Sequence, residues 1–244
     1  MAITVSRAAD LLSVYLQKGG WSQDKISLRL LEELLTIGQR QTAMDILAIA
    51  RQHKSSLNLL RDLQASASAS VETDGYALTG IDTTPGPMLC PDSFIDAECT
   101  LDSTLQRCVM RSPDMQGLYQ NQYLRGNDEY PVIYFENAKL YIDVDSGSHP
   151  VTVTFRYIRQ PKDLVKYYAS GYTTDHFDIG DEGLETLIIR NAYAEALLMA
   201  SKFDEHKLIR DDVQQELTKL MNISVTSHRD GTEVGQHRRK VDVA

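Results

Sequence analysis

An α+β fold is predicted for this chain: helices from its N- and C-terminal parts form a bundle, and an antiparallel β domain is inserted between them. Three observations predict it. Apolar residues recur at three- and four-residue steps between Ile26 and Ala50 and again after Leu184. From Ala138 to Pro161 they alternate at every second position instead, which is the period of a half-buried strand. Gly, Pro, Ser and Asp punctuate that middle region, as turns require.

The first helix carries Ala9, Leu12, Val14, Tyr15 and Leu16, with Ser6 as its expected cap and Gly19-Gly20 as its end. Ser22 is the next expected cap, ahead of a stripe of Ile26, Leu30, Leu34 and Ile37. After Gly38, which costs a helix interior about 1 kcal/mol relative to Ala, the stripe resumes with Ala43, Ile46, Leu47 and Ala50, so both a bend or break at the glycine and a helix that continues through it stay open. Trp21, the single tryptophan, sits at the corner between these helices and is expected to seal it.

Ala65 to Ser70 reads Ala-Ser-Ala-Ser-Ala-Ser, and its small residues predict a loop or hinge. Short strands are predicted at Tyr76 to Ile81, Phe94 to Cys99 and Thr104 to Met110, and a polar excursion at Ser112 to Tyr130. From Ala138 to Pro161 the pattern is most regular. Leu140, Ile142 and Val144 face one way, and Val151, Val153, Phe155 and Tyr157 repeat the alternation beyond Asp145-Ser146-Gly147-Ser148, so the two runs are predicted to pair as a hairpin. Pro161 withholds a donor where pairing should stop.

Beyond a loop at Tyr167 to Gly180, Asp181-Glu182 place negative charge where a helix start favours it. Leu184, Leu187, Ile188, Ala192, Ala196 and Met199 make the following helix too apolar to be exposed, and it is expected to be sandwiched. An amphipathic helix is predicted from Asp204 to Leu220, with Leu208, Val213, Leu217 and Leu220 on its buried face. Apolar residues thin out after Asn222, so 222–244 is expected to be a flexible tail when alone. The expected division is 1–64, 65–161 (with a hinge tract at 65–74), 162–221 and 222–244.

The 244 residues are 42% hydrophobic and 24% charged, which allows a real core, and the formal charge is -9. With a sequence pI near 5.1, general nucleic-acid binding is disfavoured, because phosphate neutralisation needs clustered Lys and Arg. No run has the length of a signal-peptide core or a membrane helix, and the three cysteines, Cys90, Cys99 and Cys108, read as reduced thiols. Two acidic groups invite an enzyme reading: the Asp143/Asp145 pair at a strand end, and His176, Asp178, Asp181, Glu182 and Glu185 around a helix start. The first lacks the further oxygen ligands a hard cation needs, and the second is explained by the helix start itself. There is no phosphate-cradling glycine loop, nucleophile elbow or H-E-x-x-H helix. Accordingly no catalytic residue, metal or cofactor is assigned, and the chain is read as a non-enzyme.

The order of these segments carries a resemblance. An amphipathic helical start (Ala2 to Ala50) leads to a β insertion, then to Pro131-Val132-Ile133-Tyr134 and strands closing on Tyr157-Ile158-Arg159-Gln160-Pro161, then to an acidic lead into Leu184-Glu185-Thr186-Leu187-Ile188-Ile189-Arg190-Asn191-Ala192. In this the chain resembles the head-to-tail adaptor (connector) proteins of tailed bacteriophages, and within them the neck ring proteins of crAss-like gut phages. The resemblance implies a structural virion protein, made in the host bacterial cytoplasm and ending in the neck. It implies self-association into a ring of twelvefold symmetry matching the portal protein, contact with an adjacent neck or tail protein, and a channel through which DNA passes without specific binding, with no membrane involved. It also implies that the C-terminal segment docks the portal, with Val234, Val241 and Val243 as apolar anchors and Arg238, Arg239 and Lys240 meeting acidic surface. Trp21, Leu184, Ile188 and Met199 are the expected subunit-interface residues. Another virion component (stopper, tail-completion or decoration protein) stays open as an alternative, and a small metal-dependent hydrolase as a more distant one.

Overall fold

Helices lie toward both ends of the chain and strands in its middle, as the α+β reading expects. The computed structural model describes residues 3–53, 57–77, 86–90, 93–101, 103–111, 126–136, 139–145, 148–164, 176–179 and 183–237, with side chains through 221. The chain divides into two compact units, one of Met1–Asp62 with Pro161–Ala244, the other of Leu63–Gln160.

In the helical unit, α1 (Val5–Lys18) starts at Thr4, whose hydroxyl accepts from Arg7 N at 3.2 Å, so the cap is Thr4 and not Ser6. It ends as expected at the glycines: Gly20 takes φ +90°, and Trp21 N reaches back to Leu16 O at 3.0 Å. Ser22 precedes only a single 3-10 turn, Gln23–Lys25. The longer helix α2 (Leu28–His53) is capped by Ser27, whose Oγ accepts from Leu30 N at 3.2 Å, which leaves Ile26 outside the helix.

No break occurs at Gly38, which lies inside α2. A Cβ built there would stand 2.5 Å from Ile188 O and 2.8 Å from Ala192 N, both on α3 (Leu184–Met199). The glycine is therefore the point of closest approach of two helices, and its missing side chain serves packing rather than bending. The sandwiched helix is confirmed in α3: Leu184, Leu187, Ile188, Ile189, Ala192, Ala194, Ala196 and Leu197 are all buried. The last helix, α4 (Phe203–His237), lays Val213, Leu217 and Met221 against the bundle. Its backbone stays helical from 222 to 237, in place of the unstructured tail read from composition, since extending a formed helix avoids the cost of nucleating one.

Inside this bundle lies a polar network. Arg210 Nη1 and Nη2 donate to the two Asp45 carboxylate oxygens at 2.9 and 3.0 Å, and Nη1 also to Asn191 Oδ1 at 2.5 Å. Asn191 Nδ2 donates to Thr42 Oγ1 at 2.9 Å, and Thr42 donates to Gly38 O at 2.8 Å. Helices α2, α3 and α4 are thus fastened by one charge-assisted cluster with its hydrogen bonds satisfied.

The β unit is a sandwich of two four-stranded sheets around one core. The first has the order β1-β8-β3-β4 and is antiparallel throughout, from β1 (Gln64–Val71), β8 (Val151–Ile158), β3 (Phe94–Leu101) and β4 (Thr104–Arg107). The second has the order β2-β7-β6-β5, from β2 (Tyr76–Ala77), β7 (Lys139–Asp143), β6 (Val132–Glu136) and β5 (Val109–Met110), and only its β5–β6 pair is parallel.

Two sequence expectations are corrected here. Ala65 to Ser70 is no hinge but most of β1, registered residue for residue against β8, with Ala69 buried and Ser68 Oγ bonded to Thr154 Oγ1 at 2.8 Å on the outer face. Nor do the runs on either side of Asp145–Ser148 form a hairpin. β7 pairs with β6 and β2, while β8 pairs with β1 and β3 in the other sheet. Leu140 and Ile142 therefore meet Val153 and Phe155 across the sandwich core, not along a shared ladder. Phe94 ties the sheets together, edge-on to Phe135 with ring centroids 4.8 Å apart and stacked on Phe155 at 6.3 Å.

Candidate functional site

The acidic residues that invited a catalytic reading have structural occupations. Asp143 Oδ2 accepts from Gly126 N at 2.9 Å, and Asp145 Oδ2 accepts from Asp128 N at 3.4 Å; Asp128 Oδ1 in turn accepts from Asp145 N at 3.0 Å, and its Oδ2 from Ser148 Oγ at 2.8 Å. These bonds pin the loop before β6 to the end of β7. In the helical unit Asp178 Oδ2 accepts from Lys162 N at 2.8 Å, while Glu185 accepts from Ile3 N and from Gly183 N, both at 3.3 Å, at the start of α3. His176 is exposed, and Asp181 and Glu182 lie outside the described residues. Among the described residues, no three His, Cys, Asp or Glu side chains gather as a metal ion would need.

Among the described residues, Glu32 stands in a different setting. It is buried on α2 with its Oε1 unpartnered, and burial, with Asp163 and Glu33 nearby, pushes its carboxyl above the usual glutamate range. On the β unit the opposite holds for Asp96, which a hydrogen bond from Arg156 Nε at 2.6 Å keeps below its usual range.

What the helical unit offers instead is an apolar corner. The turn after α1 and the turn between α3 and α4 line an open depression of about 320 Å³ through Gly19, Gly20, Trp21, Lys25, Ala200 and Lys202. Trp21 is half-buried, so it lines this corner rather than sealing it as core. Lys202 Nζ donates to Gly19 O at 3.1 Å, and Tyr15 stacks on Tyr193 with centroids 5.7 Å apart. The two turns are held together by those contacts. Met199 and Phe203, next in the chain to the lining residues Ala200 and Lys202, are 58% and 63% exposed, and Leu208, further along α4, is 72% exposed. Apolar side chains this open, next in the chain to a depression lined by a tryptophan, suit a protein-docking surface.

Of the expected interface residues, Trp21 lines this depression and Met199, exposed at the end of α3, precedes its lining residue Ala200. Leu184 and Ile188 do not: they are 1% and 0% exposed inside the single chain, so no neighbour can reach them. Phe203 and Leu208 were missed, Leu208 because it had been placed on the buried stripe of α4. Among the tail residues Val234 lies on α4, while Arg238, Arg239, Lys240, Val241 and Val243 lie outside the described residues. No helix among the described residues is long and apolar enough to cross a membrane. Compared with known proteins, the chain matches no protein-family model and no curated sequence.

Proposed function

We propose that this chain is a structural virion protein, a head-to-tail adaptor whose copies form a ring between a portal protein and the tail of a phage and leave a channel for the genome. The observation that carries the reading is the open depression of the helical unit lined by Trp21, Ala200 and Lys202, with Met199 and Phe203 exposed next to its lining residues in the chain. It is read together with an element order of helices, inserted β sandwich and helices like that of the adaptors the sequence resembles. Heterologous contacts of one such patch against a different face of the next copy generate a ring when the rotation closes. Each contact then needs about 1,600 Å² of buried surface, of which the corner supplies the apolar centre. The net charge of -9 suits a channel wall that DNA slides past.

The test is native mass and electron-microscopic symmetry of the purified protein, alone and with the portal protein of the same phage. A portal-bound ring, lost in Phe203→Asp/Leu208→Asp while the variant keeps its circular dichroism, is the expected result. A chain that neither binds the portal nor appears in the neck of the assembled particle overturns the reading. Deleting 222–244 separates two roles: loss of portal binding assigns the segment to docking, and unchanged binding removes it from that role.

A further inference from the structure

The two sheets of the β unit have four edges, and among the described residues three of them are short. β2 and β5 are two residues long and β4 four, so each offers a foreign strand little ladder. β1 differs. It runs for eight residues, Gln-Ala-Ser-Ala-Ser-Ala-Ser-Val, pairs with β8 along its whole length, and among the described residues has no strand on its other side. It carries none of the devices that blunt an edge: no Pro, no charge and no bulge against β8.

The register says which backbone groups point outward. Arg159 N donates to Leu63 O at 2.8 Å, and these two residues continue the β1–β8 register as an opposite pair. Odd-numbered residues of β1 therefore bond to β8, and the N–H and C=O of Gln64, Ser66, Ser68 and Ser70 point away from it. The same four residues are exposed on the outer face, while Ala65, Ala67 and Ala69 pack on the core. At the far edge Cys108 N donates to Ala97 O at 2.9 Å, which by the same rule turns the N–H and C=O of Leu105 and Arg107 outward from β4. Leu105 and Arg107 also lie on the outer face, opposite Thr100 and Glu98, since the neighbouring Cys99–Gln106 pair has its cysteine in the core. Both edges thus present their outward groups at outer-face residues. With four strands, antiparallel throughout, β1 and β4 also run in opposite directions.

We propose that the β1 edge receives β4 of the next copy of this chain, so that the first sheet runs on from copy to copy as one antiparallel ladder. The inference rests on the ring reading above and names the backbone part of the contact between copies. A neighbour related by a small rotation about a ring axis keeps its strand directions nearly unchanged, so its β4 meets β1 antiparallel, outer face matched to outer face. An odd number of strands would bring the two edges together parallel. Leu105, 64% exposed on β4, is then set against the row of Ser66, Ser68 and Ser70 and gains cover. Charge fits as well. Arg107 is the only charge on either strand, so no register opposes like charges, and antiparallel pairing brings its end of β4 toward the start of β1, which Asp62 precedes by two residues. In a chain of net charge -9, whose copies otherwise repel, an uncharged edge is where they can approach.

The experiment uses the full-length chain in a Cys90→Ala background, alone and with the portal protein of the same phage. Leu105→Cys is combined in turn with Ser66→Cys, Ser68→Cys and Ser70→Cys, the β1 residues that can stand opposite it with Arg107 still on the ladder; each protein is oxidised and run on a non-reducing denaturing gel. One of the three pairs is expected to give a series of covalent multiples that dithiothreitol collapses to the single chain, while each cysteine variant by itself stays single. Ser66→Pro/Ser68→Pro removes two N–H groups that point away from β8, so it should keep the circular dichroism of the parent and lose the association. Dimers from a serine variant by itself would mean that β1 pairs with a second β1, and would overturn the inference. Oligomers that form on the portal but link in none of the three pairs overturn it too and leave the adaptor reading standing, whereas a chain that stays single under every condition overturns both. The cross-links decide the matter even if the proline variant folds poorly.

Discussion

Gly38→Ala sets two known effects against each other inside α2. On propensity alone the substitution should stabilise the helix by about 1 kcal/mol, because Ala loses less backbone freedom than Gly. The new methyl, however, would sit 2.5 Å from Ile188 O, 2.8 Å from Ala192 N and 3.0 Å from Ala192 Cβ. Two of these are backbone atoms of a buried helix, which no rotamer change can move away. To relieve the contact α2 and α3 must separate, and a gap of even 0.5–1 Å forfeits a quarter to a half of the dispersion energy of the side chains along their interface. Overpacking of this kind costs about 1–3 kcal/mol, and with backbone as the obstacle the upper part of that range applies, so a net loss of about 2 kcal/mol is expected. The assay is urea and thermal unfolding followed by the fluorescence of Trp21, the single tryptophan, which lies in the helical unit. The melting temperature should fall by roughly 4–8 °C, taking about 2–4 °C per kcal/mol for a unit of this size. Adding Ala192→Gly should recover only a small part, because the contacts with Ile188 O and Ala192 N remain. A Gly38→Ala protein as stable as the parent, or more stable, would refute the close-approach argument and return Gly38 to the role of a tolerated helix weakness.

Three further outcomes are expected. Asp45→Ala leaves Arg210, whose side chain is only 16% exposed, facing an emptied site, and should cost about 3–5 kcal/mol by the same urea assay, whereas Asp45→Leu/Arg210→Met removes both charges and should recover most of it. Glu32, whose folded pKa is raised, holds its proton more tightly folded than unfolded. Stability from this group is therefore full below the ordinary glutamate value and is lost as pH rises through the higher folded value, so Glu32→Gln should raise the urea midpoint at pH 8 and flatten its fall between acid and neutral pH. Asp96 has the opposite sign, its stabilising contribution being present above the ordinary aspartate value and lost as pH falls through the depressed one. Asp96→Asn should therefore weaken the β unit at neutral pH, and the difference from the parent should vanish in acid, as read by circular dichroism against pH.

The helices were legible because their signal is local. Apolar steps in α2 and α3 and the glycines after α1 follow from a single segment and water, and only the capping residue moved, from Ser6 to Thr4 and from Ser22 to Ser27. The strands were legible as strands but not as partners. Alternation in β7 and β8 states that one face of each is buried. Strands that face each other across a sandwich satisfy that as well as strands joined in a hairpin, and choosing between them takes the pairing preferences of β1, β3 and β6, which lie far away in sequence. β1 itself was hidden because alanine and serine carry little strand preference, although its in-out alternation is as strict as that of β8.

The candidate surface was obscured by a similar degeneracy, since an apolar residue marks burial without saying by which chain it is buried. Leu184 and Ile188 looked available to a neighbour, but α2 and the rest of the bundle already cover them. One residue did carry a readable signal. The buried face of α4 is set by Val213, Leu217 and Met221, and Leu208, five residues before Val213, lies about 140° around the helix from it at 100° per residue. A leucine that far off its own helix's stripe has no partner within the bundle, and the 72% exposure of Leu208 follows from that angle alone. Phe203, at the first position of the same helix and 63% exposed, follows Lys202, which lines the depression with Trp21. Replacing Leu208 by Asp should therefore leave the melting temperature within about 2 °C of the parent, as expected for a surface change within about ±0.5 kcal/mol, while Leu217→Asp should unfold the helical unit. If Leu208→Asp were the more damaging of the two, α4 would be turned the other way, and the surface proposed for docking would be the one that closes the bundle.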